Sequence, residues 1–590
     1  MPTMTINGVS CDFEPGQTVL QVANASGVEI PFYCYHDGLS APAQCRICLA
    51  QMWGPNARNE GKLEAIAGGK LLPTCTTPAA DGMVVRSDSP ASVANQKAVM
   101  EYLLINHPLD CPVCDQSGEC FLQDYSYEFG RGVSRFQEQK VKQPKKDLGP
   151  HVYLYSDRCI MCTRCVRFDR EIAGADELMI GGRGNRSEID VFPGRALQNE
   201  LSGNVVDLCP VGALLDKDFL FAQRVWFLKR TPSIDGITAS GDNIYLEHNE
   251  GKIYRVKPRS NEDVNKHWIT DEVRYGWKFV HRDDRLIEPR TRRYGALVET
   301  EWTRAYRDAL AGIARQLDGG TRLAVMISPM LTCEEAFALA TLARRLDDQA
   351  ILGVGPVPMH GEDKAFPPTK QPDDPDAFVM KAEKAPNARG VRRVLRAVLG
   401  DEPLEFAAFM RSLNGVGALV LTGNYATDWS AVEVADAARE RFTVLLDTLP
   451  TRLIDASDVV LPGATWAEKA GTFENHRGLL QSFERAIPPL ARTEGQIAFD
   501  LLAALGVDEF IRDTGPVATR TAHRANVVIV DEGPGQVPQA TEVELPRGRP
   551  FRADEARRML VDAGLGEFAG DVRHPPAEAK ASTDMRLVEL

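Results

Sequence analysis

The chain has little cysteine beyond its first third and no long apolar run. Of its 13 cysteines in 590 residues, only Cys333 lies after Cys209. No stretch of about 18 apolar residues occurs, so the sequence predicts no membrane-spanning helix. The 82 acidic residues outnumber the 68 basic ones, and a net charge of −14 lacks the basic excess that binds nucleic-acid phosphates. These absences argue against an integral membrane protein and against a nucleic-acid-binding protein.

Two further signals are missing. The opening segment, MPTMTINGVSCDFEPG, lacks the basic and apolar regions of a secretory signal. We therefore expect the chain to stay in a reducing compartment, where closely spaced cysteines bind metal more often than they form disulfides. The glycine-rich stretch 181–184 lacks the strand–turn–helix context of a dinucleotide site, and we find no nucleotide fingerprint elsewhere. The length and a composition of 44% hydrophobic and 25% charged residues predict several soluble globular domains.

Eleven of the 13 cysteines form three groups within the first 209 residues. The groups are Cys34, Cys45, Cys48 and Cys75; then Cys111, Cys114 and Cys120, with His107 just before them; then Cys159, Cys162, Cys165 and the distant Cys209. Thiolates spaced in this way form disulfides, bind zinc or hold iron–sulfur clusters. The choice among these three largely decides the function.

The first group lies in a predicted domain of residues 1–82. Alternating residues around Asn7-Gly8 predict a β-hairpin, and Val19 to Ser26 predict a short helix ended by Gly27. Strands on one helix followed by a cysteine loop resemble a plant-type ferredoxin, in which the group would hold a [2Fe–2S] cluster. Ten residues separate its first two cysteines, where simple plant ferredoxins have about four. Structural zinc and free thiols stay open as alternatives, and Cys11 is interpreted as a bystander.

The second group lies in a predicted domain of residues 83–150. Residues 93–106 have a helical pattern, and the run His107-x3-Cys111-x2-Cys114-x5-Cys120 follows. Three thiolates and one imidazole suit either a [4Fe–4S] cluster with a histidine ligand or a zinc site. A short basic run comes next, and it indicates either a solvated linker or a docking surface for an acidic partner. The run consists of Lys140, Lys142, Lys145 and Lys146.

The third group lies in a predicted domain of residues 151–225 and carries the most specific motif of the chain. Cys159-x2-Cys162-x2-Cys165 places three sulfurs around one corner of a [4Fe–4S] cubane, a triplet that tetrahedral zinc rarely uses. Bacterial two-cluster ferredoxins carry C-x2-C-x2-C-x3-C-P twice, and each fourth cysteine serves the other cluster. Here Cys209-Pro210 is all that remains of the second run. The four positions of the other cluster hold Asp169, Asn199, Ser202 and Val205. One cluster therefore keeps four ligands and the other has lost all four.

The remaining chain is predicted to form a domain of residues 226–530 and a tail of residues 531–590. Residues 231–258 predict short strands around the turn at Glu250-Gly251. From about residue 300, helices alternate with apolar strands such as 323–327 and 418–422, which indicates an α/β domain. The stretch 355–375 is predicted to be a long loop. The Pro-, Glu- and Arg-rich tail is predicted to be mobile or ordered by a partner.

These motifs together resemble the large iron–sulfur subunit of respiratory complex I, the NADH:quinone oxidoreductase. The residues that carry the resemblance are the ten-residue gap after Cys34, the His107 run, the C-x2-C-x2-C motif, the stretch 208–213 (LCPVGA) and the stretches 458–462 (DVVLP) and 468–475 (EKAGTFEN). The last two resemble the molybdopterin oxidoreductase fold, which in this family binds no molybdenum. The implied fold class is multidomain α+β and α/β: a plant-type ferredoxin (β-grasp) domain, a cluster domain with one histidine and three cysteines, a bacterial-ferredoxin-like domain and a molybdopterin-oxidoreductase-like domain.

The resemblance implies an electron relay. One [2Fe–2S] and two [4Fe–4S] clusters would pass electrons from an NADH-oxidising flavoprotein partner toward quinone-side iron–sulfur partners, with no flavin on this chain. The implied location is peripheral, on the cytoplasmic side of the inner membrane, through the complex. A further four-cysteine cluster of some bacterial relatives is expected to be absent, because no cysteine lies between residues 210 and 332.

Four alternatives stay open at this point. A molybdenum or tungsten enzyme needs a metal thiol, for which Cys333 is the sole candidate, and it opens a predicted helix. An iron-only hydrogenase needs further downstream cysteines that this sequence lacks. A zinc-stabilised scaffold would be colourless, whereas iron–sulfur proteins are brown. The matching subunit of a soluble NAD-linked hydrogenase or formate dehydrogenase is poorly separated by sequence.

Overall fold

The computed structural model describes residues 1–506 and 548–569. Within these residues the strands form seven sheets, of which the largest has seven strands. No helix in the described part of the chain combines the length and the apolar character needed to cross a membrane. The cysteine groups and the large sheet lie in different hydrophobic cores.

The N-terminal region is one mixed sheet with a helix packed against it. Its elements are β1 (Thr3–Ile6), β2 (Val9–Asp12), α1 (Val19–Ala25), β3 (Leu49–Asn56), β4 (Lys62–Ala65), β5 (Leu72–Pro73) and β6 (Val84–Arg86). The strand order is β2-β1-β6-β3-β4, with β5 paired to β3. The predicted hairpin turns at Asn7 and Gly8, whose φ angles of 49° and 85° match a tight two-residue turn. Thr18 and Gln21 cap the start of α1 reciprocally.

Residues 90–216 form small helices and sheets around one shared core. The elements are α2 (Pro90–Leu104), α3 (Phe121–Glu128), β7 (Lys145–Asp147), β8 (Val152–Tyr155), α4 (Arg164–Phe168), β9 (Leu178–Gly181), β10 (Glu188–Val191), α5 (Asn204–Leu208) and β11 (Leu214–Asp216). Strands β11, β8 and β7 form an antiparallel sheet, and β9 and β10 form a hairpin. The helix predicted over residues 93–106 begins three residues earlier, because Ser89 caps it and Pro90 fits its first turn.

A three-stranded antiparallel sheet follows. It contains β12 (Lys229–Ile234), β13 (Asn243–Asn249) and β14 (Lys252–Pro258), and α6 (Asp271–Tyr275) packs beside it. The predicted turn at Glu250-Gly251 joins β13 to β14, with φ angles of 48° and 78°.

The large sheet is the centre of the α/β region. The elements of this region are β15 (Arg290–Arg293), β16 (Ala296–Glu299), α7 (Trp302–Asp318), β17 (Arg322–Ile327), α8 (Cys333–Leu346), β18 (Ile351–Val354), β19 (Lys364–Phe366), β20 (Phe378–Met380), α9 (Ala388–Leu399), α10 (Phe406–Arg411), β21 (Val416–Thr422), α11 (Val432–Arg439), β22 (Phe442–Asp447), α12 (Leu453–Ala456), β23 (Val459–Pro462), β24 (Gly471–Glu474), β25 (Leu480–Phe483), α13 (Glu494–Ala504) and α14 (Ala553–Asp562). The order is β16-β15-β23-β22-β21-β17-β18, and the five strands from β23 to β18 are parallel. Helices α7, α8, α9, α13 and α14 cover one face and α10, α11 and α12 the other.

The structure differs from the sequence expectations in two places. The stretch 355–375 contains β19, which pairs with β20, so it is not wholly a loop. The predicted tail is wrong for residues 548–569, because α14 buries Met559 and Leu560 in the core of the α/β region. Charged residues surround these apolar side chains in the sequence, so only their packing against the core identifies them. Residues 531–547 and 570–590 of that tail lie outside the described residues.

Candidate functional site

The first cysteine group forms two close pairs. The Sγ atoms of Cys34 and Cys45 are 3.4 Å apart, and those of Cys48 and Cys75 are 3.7 Å apart. Arg46, between the second and third cysteines, adopts a left-handed conformation with φ of 59°, which turns the chain sharply there. Two thiolates bound to one tetrahedral metal at about 2.3 Å lie about 3.8 Å apart, so each pair has the spacing of one metal's ligands.

The second group lines one shallow cavity. His107, Cys111, Cys114 and Cys120 face it together with Arg158 and Gly212. A Cβ atom at position 212 would stand 2.2 Å from the Sγ of Cys114, so only glycine leaves this sulfur its place. Gly118, in the loop before Cys120, has φ of 94°, and a Cβ atom there would lie 2.8 Å from Val225. Glycine is therefore required both at the cavity and in the loop that leads to Cys120.

The first three cysteines of the third group lie on a tight loop. Met161 and Thr163, which lie between its cysteines, have φ angles of 53° and 63°, and α4 begins immediately afterwards. Cys209 follows the end of α5, and the backbone N–H groups of Val211, Ala213 and Leu214 point at its sulfur. These N–H groups stabilise negative charge on a sulfur, as ligands of a metal cluster require.

The pKa shifts of candidate ligands in the second and third groups fit metal binding. Burial raises the pKa of Cys159 to about 12 and that of Cys162 to about 11, with the negative charge of Cys209 adding to both. Burial likewise raises the pKa of Cys120 to about 12. Several thiolates cannot share such apolar surroundings unless bound cations neutralise them. Burial, followed by the charges of Arg158 and Lys140, lowers the pKa of His107 to about 4, so its imidazole is neutral and able to bind metal.

The three groups are physically connected. Gln44, beside Cys45, donates hydrogen bonds to the Met161 carbonyl at 3.0 Å and to the Thr163 hydroxyl at 2.9 Å, linking the first group to the third. The N–H of Phe121 donates to the Pro210 carbonyl at 3.1 Å, linking the second group to the third. One hydrophobic core contains Cys120 of the second group and Cys165 and Cys209 of the third. Cys45 of the first group packs against this core with Cys159 and Cys162, whereas Cys48 and Cys75 lie in the core of the N-terminal sheet.

Ordinary side-chain contacts occupy the positions of the lost cubane. Asp169 is buried and accepts hydrogen bonds from the Leu178 N–H at 2.8 Å and from the Asn199 amide at 3.2 Å. The hydroxyl of Ser202 donates to Asp271 at 2.6 Å, and Val205 lies in the hydrophobic core. Within the described residues, no three His, Cys, Asp or Glu side chains stand close enough to bind one metal ion.

Sequence reasoning missed three residues at these sites: Arg158, Arg164 and Gly212. Arg158 donates to the Sγ of Cys114 at 3.5 Å and pairs with Asp110 at 2.8 Å. Arg164 is buried between cysteines of the third group. The signal was available, because each arginine directly precedes a cysteine of the C-x2-C-x2-C motif.

The two remaining cysteines lie apart from these groups. Cys11 is buried in β2. Cys333 is the first residue of α8, where Thr332 supplies the cap and the thiol contacts the side-chain oxygen of Asn387 at 3.5 Å. A Cβ atom at Gly390 would stand 2.6 Å from this sulfur. Cys333 is therefore a tightly packed core residue.

Three lysines of the basic run make contacts within the chain. Lys140 donates to the Leu104 and Ile105 carbonyls, Lys146 pairs with Glu188 at 3.0 Å, and the ammonium group of Lys145 lies 4.4 Å from the centre of the Tyr155 ring.

Family models match most of this architecture. They are a 2Fe-2S iron-sulfur cluster binding domain at residues 1–90, the NADH-ubiquinone oxidoreductase-G iron-sulfur binding region at 96–135, the NADH-quinone oxidoreductase subunit 3 ferredoxin-like domain at 149–215, the NADH-ubiquinone oxidoreductase NDSU1/NuoG-like 4Fe-4S domain at 228–278 and molybdopterin oxidoreductase at 386–504. The predicted fold class is confirmed: the chain joins regions that match ferredoxin-type iron–sulfur domains to a region that matches molybdopterin oxidoreductase. Residues 228–278 contain no cysteine, so that segment offers no thiolate.

The curated relatives make the identification more specific. The G subunit of the NADH-quinone oxidoreductase of Rickettsia felis is 38% identical over 59% of this chain and 49% of its own length. The mitochondrial NADH dehydrogenase [ubiquinone] iron-sulfur protein 1 of Solanum tuberosum is 42% identical over 52% of this chain and 40% of its own. The chain is a homologue of these iron–sulfur subunits of NADH-quinone oxidoreductase, as its motifs predicted. It spans about half the length of these relatives or less.

A solved structure also matches over part of the chain. A crystal structure of NAD+-reducing [NiFe]-hydrogenase in the H2-reduced state contains a chain that is 31% identical, and the match covers 38% of this chain and 91% of that one. The TM-score of 0.33 is too low for this likeness to bear on fold or function.

Proposed function

We propose that this chain is the electron-relay subunit of an NADH:quinone oxidoreductase. It receives electrons from an NADH-oxidising flavoprotein partner and passes them, one at a time, to a quinone-side iron–sulfur partner. The observation that carries the proposal is the hydrophobic core that contains cysteines of the second and third groups and against which Cys45 of the first group packs. Such a core excludes water and holds the redox groups at fixed separations, which electron transfer requires and a set of isolated zinc sites does not.

The first site holds a [2Fe–2S] cluster. Its ligands are Cys34, Cys45, Cys48 and Cys75. The two Sγ pairs, at 3.4 Å and 3.7 Å, support one iron bound by Cys34 and Cys45 and the other by Cys48 and Cys75. Two separate close pairs favour two metals over one tetrahedral zinc ion.

The other two sites hold [4Fe–4S] clusters. The ligands of one are His107, Cys111, Cys114 and Cys120, and those of the other are Cys159, Cys162, Cys165 and Cys209. Bound clusters supply one-electron redox chemistry. The chain's own residues hold the clusters, exclude water and present N–H donors and cations to the sulfurs. None of these residues acts as an acid or base, and the chain binds neither NADH nor molybdenum.

The iron content tests this ligand map. The full chain, reconstituted anaerobically with iron and sulfide, should be brown and contain about ten irons, two in the first site and four in each of the others. In His107→Ala one EPR-visible centre should disappear or convert to a three-iron form. Cys333→Ser should keep all its iron. Zinc in place of iron, stoichiometric molybdenum or about fourteen irons would contradict the map.

Gly212→Ala tests the second site without removing a ligand. The new Cβ atom would displace the Sγ of Cys114, so this variant should lose about four irons, those of one cubane. Gly132→Ala is the matched control, because nothing lies within 4 Å of a Cβ atom there. Equal iron content in both variants would show that Cys114 does not need its present position.

Co-purification tests the assembly. The chain should isolate with a flavin-containing NADH-oxidising subunit and should lie peripherally on the cytoplasmic face of the inner membrane, held there by the complex. Isolation with a nickel–iron hydrogenase subunit or a formate dehydrogenase subunit instead would indicate that the chain is the electron-transfer subunit of a soluble enzyme.

A further inference from the structure

Arg164 places a full positive charge inside the cluster-bearing core. It lies between Cys162 and Cys165 and only 4% of it is exposed. Its guanidinium carbon lies 5.8 Å from the ring centres of both Phe32 and Phe121. One nitrogen, Nη1, donates to the Leu208 carbonyl at 3.4 Å. The guanidinium therefore faces two neighbouring aromatic rings and makes one long hydrogen bond.

This cation has no carboxylate partner among the described residues. Its Nε and Nη2 atoms are buried without an acceptor. The ionisable groups that it faces are the thiols of Cys162 and Cys209 and the phenol of Tyr125, while Arg167 adds a second positive charge nearby. An isolated buried cation is strongly destabilising, so a compensating negative charge is expected beside it.

The neighbouring Arg158 shows what a compensated arginine looks like in the same motif. Its side chain is equally buried, but Asp110 accepts hydrogen bonds from its Nε at 3.1 Å and from its Nη2 at 2.8 Å. Asp110 therefore compensates the positive charge of Arg158 and weakens its effect on Cys114. Arg164 therefore differs from Arg158 in lacking a protein counter-ion.

We propose that Arg164 is the fixed counter-charge of the cluster at Cys159, Cys162, Cys165 and Cys209 and that it favours the reduced state of that cluster. This inference rests on the proposed function. Reduction adds one electron to the cluster, and a cation in a low-dielectric core stabilises the added negative charge strongly. Arg164 acts on that site through charge and position, and it binds no iron itself.

The test is an anaerobic redox titration of the reconstituted full chain, with dithionite as reductant and EPR as readout. The signal of the third site is identified as the one that Cys209→Ala removes. Arg164→Gln should lower the reduction equilibrium constant of this signal at least about tenfold, which is about 59 mV for one electron. Arg164→Lys keeps the charge and should stay within about threefold of the unchanged protein.

Two further variants serve as controls. Arg170→Gln removes an exposed arginine, 68% exposed and paired with Asp176, and should leave all signals within about twofold. Arg158→Gln should shift the second site, and by less than Arg164→Gln shifts the third, because Asp110 already compensates Arg158.

Loss of the third signal in Arg164→Gln but not in Arg164→Lys supports the inference, because the cluster then requires the charge to assemble. Loss in both variants, or equal potentials in Arg164→Gln and the unchanged protein, overturns it. A chain that reconstitutes without any iron overturns the proposed function instead, so the two failures are distinguishable.

Discussion

Buried ions are handled differently in the two halves of this molecule. In the α/β region Lys469 is 2% exposed and lies between Glu335 at 2.8 Å and Glu494 at 3.0 Å. Arg285 is paired with Glu468 at 2.9 Å in the same region. In the cysteine-bearing region Arg164 is just as deeply buried and meets thiols and aromatic rings where a carboxylate would be expected.

This difference indicates where each half obtains its stability. In the α/β region, the buried cations Lys469 and Arg285 pair with carboxylates of the protein, and helices pack on both faces of a seven-stranded sheet. The N-terminal half pairs Arg158 with Asp110 but leaves the Arg164 charge and eleven sulfurs to be compensated by bound groups. The positions of the lost cubane support this contrast. There, the side-chain amide of Asn199 donates a hydrogen bond to Asp169 at 3.2 Å, so polar side chains of the protein satisfy each other without a bound group.

Iron removal should produce the largest difference in stability between the two halves. Without iron, buried thiols and the Arg164 guanidinium lose their counter-charges, and metal-binding energy is folding energy for such sites. Amide hydrogen exchange in residues 90–216 should accelerate by at least about a hundredfold, or about 2.8 kcal/mol. Exchange in β17, β21 and β22 should not change. Equal acceleration in both halves would show that they fold as one unit.

Breaking one buried pair should produce the complementary result. Lys469→Met leaves Glu335 and Glu494 buried without their cation, and it should destabilise the α/β region by about 3–5 kcal/mol in urea unfolding. Its iron content should be unchanged. Lys278→Met, at a side chain 58% exposed beside Asp218, is the control and should cost under about 1 kcal/mol. Loss of iron in Lys469→Met would contradict the independence of the two halves.

The sequence predicted secondary-structure elements better than it predicted charge compensation. Local periodicity is a short-range signal, so the Asn7-Gly8 hairpin forms as predicted, and the helix predicted from Val19 to Ser26 is α1, which ends one residue earlier. The partner of Arg164 or of Lys469 depends on long-range packing, which no spacing encodes. Lys469 is separated from Glu335 by 134 positions along the chain, and only the fold places them together. Helix α14 was missed for the same reason, since its apolar face becomes evident only against the core.

The smallest expected effect is a pH dependence confined to the α/β region. Glu494 faces Lys469, Glu335 and Asn424, and burial together with the negative charge of Glu335 raises its pKa from 4.5 to about 8, although Lys469 opposes the shift. The folded state then keeps a proton that the unfolded chain releases above about pH 4.5. The stabilising contribution is complete below that pH and declines as the pH rises toward 8.

Urea unfolding at pH 5, 6, 7 and 8, followed by the tryptophan fluorescence of the chain, measures this decline. Glu494→Gln cannot ionise, so the difference between its profile and that of the unchanged chain isolates the contribution of this carboxyl group. The unchanged chain should lose more stability than Glu494→Gln between pH 5 and pH 8. Parallel profiles would mean that Glu494 is ionised in the folded state and that Lys469 fully compensates both carboxylates. The α/β region would then be even more completely charge-paired than the geometry indicates, and the contrast with Arg164 would become sharper.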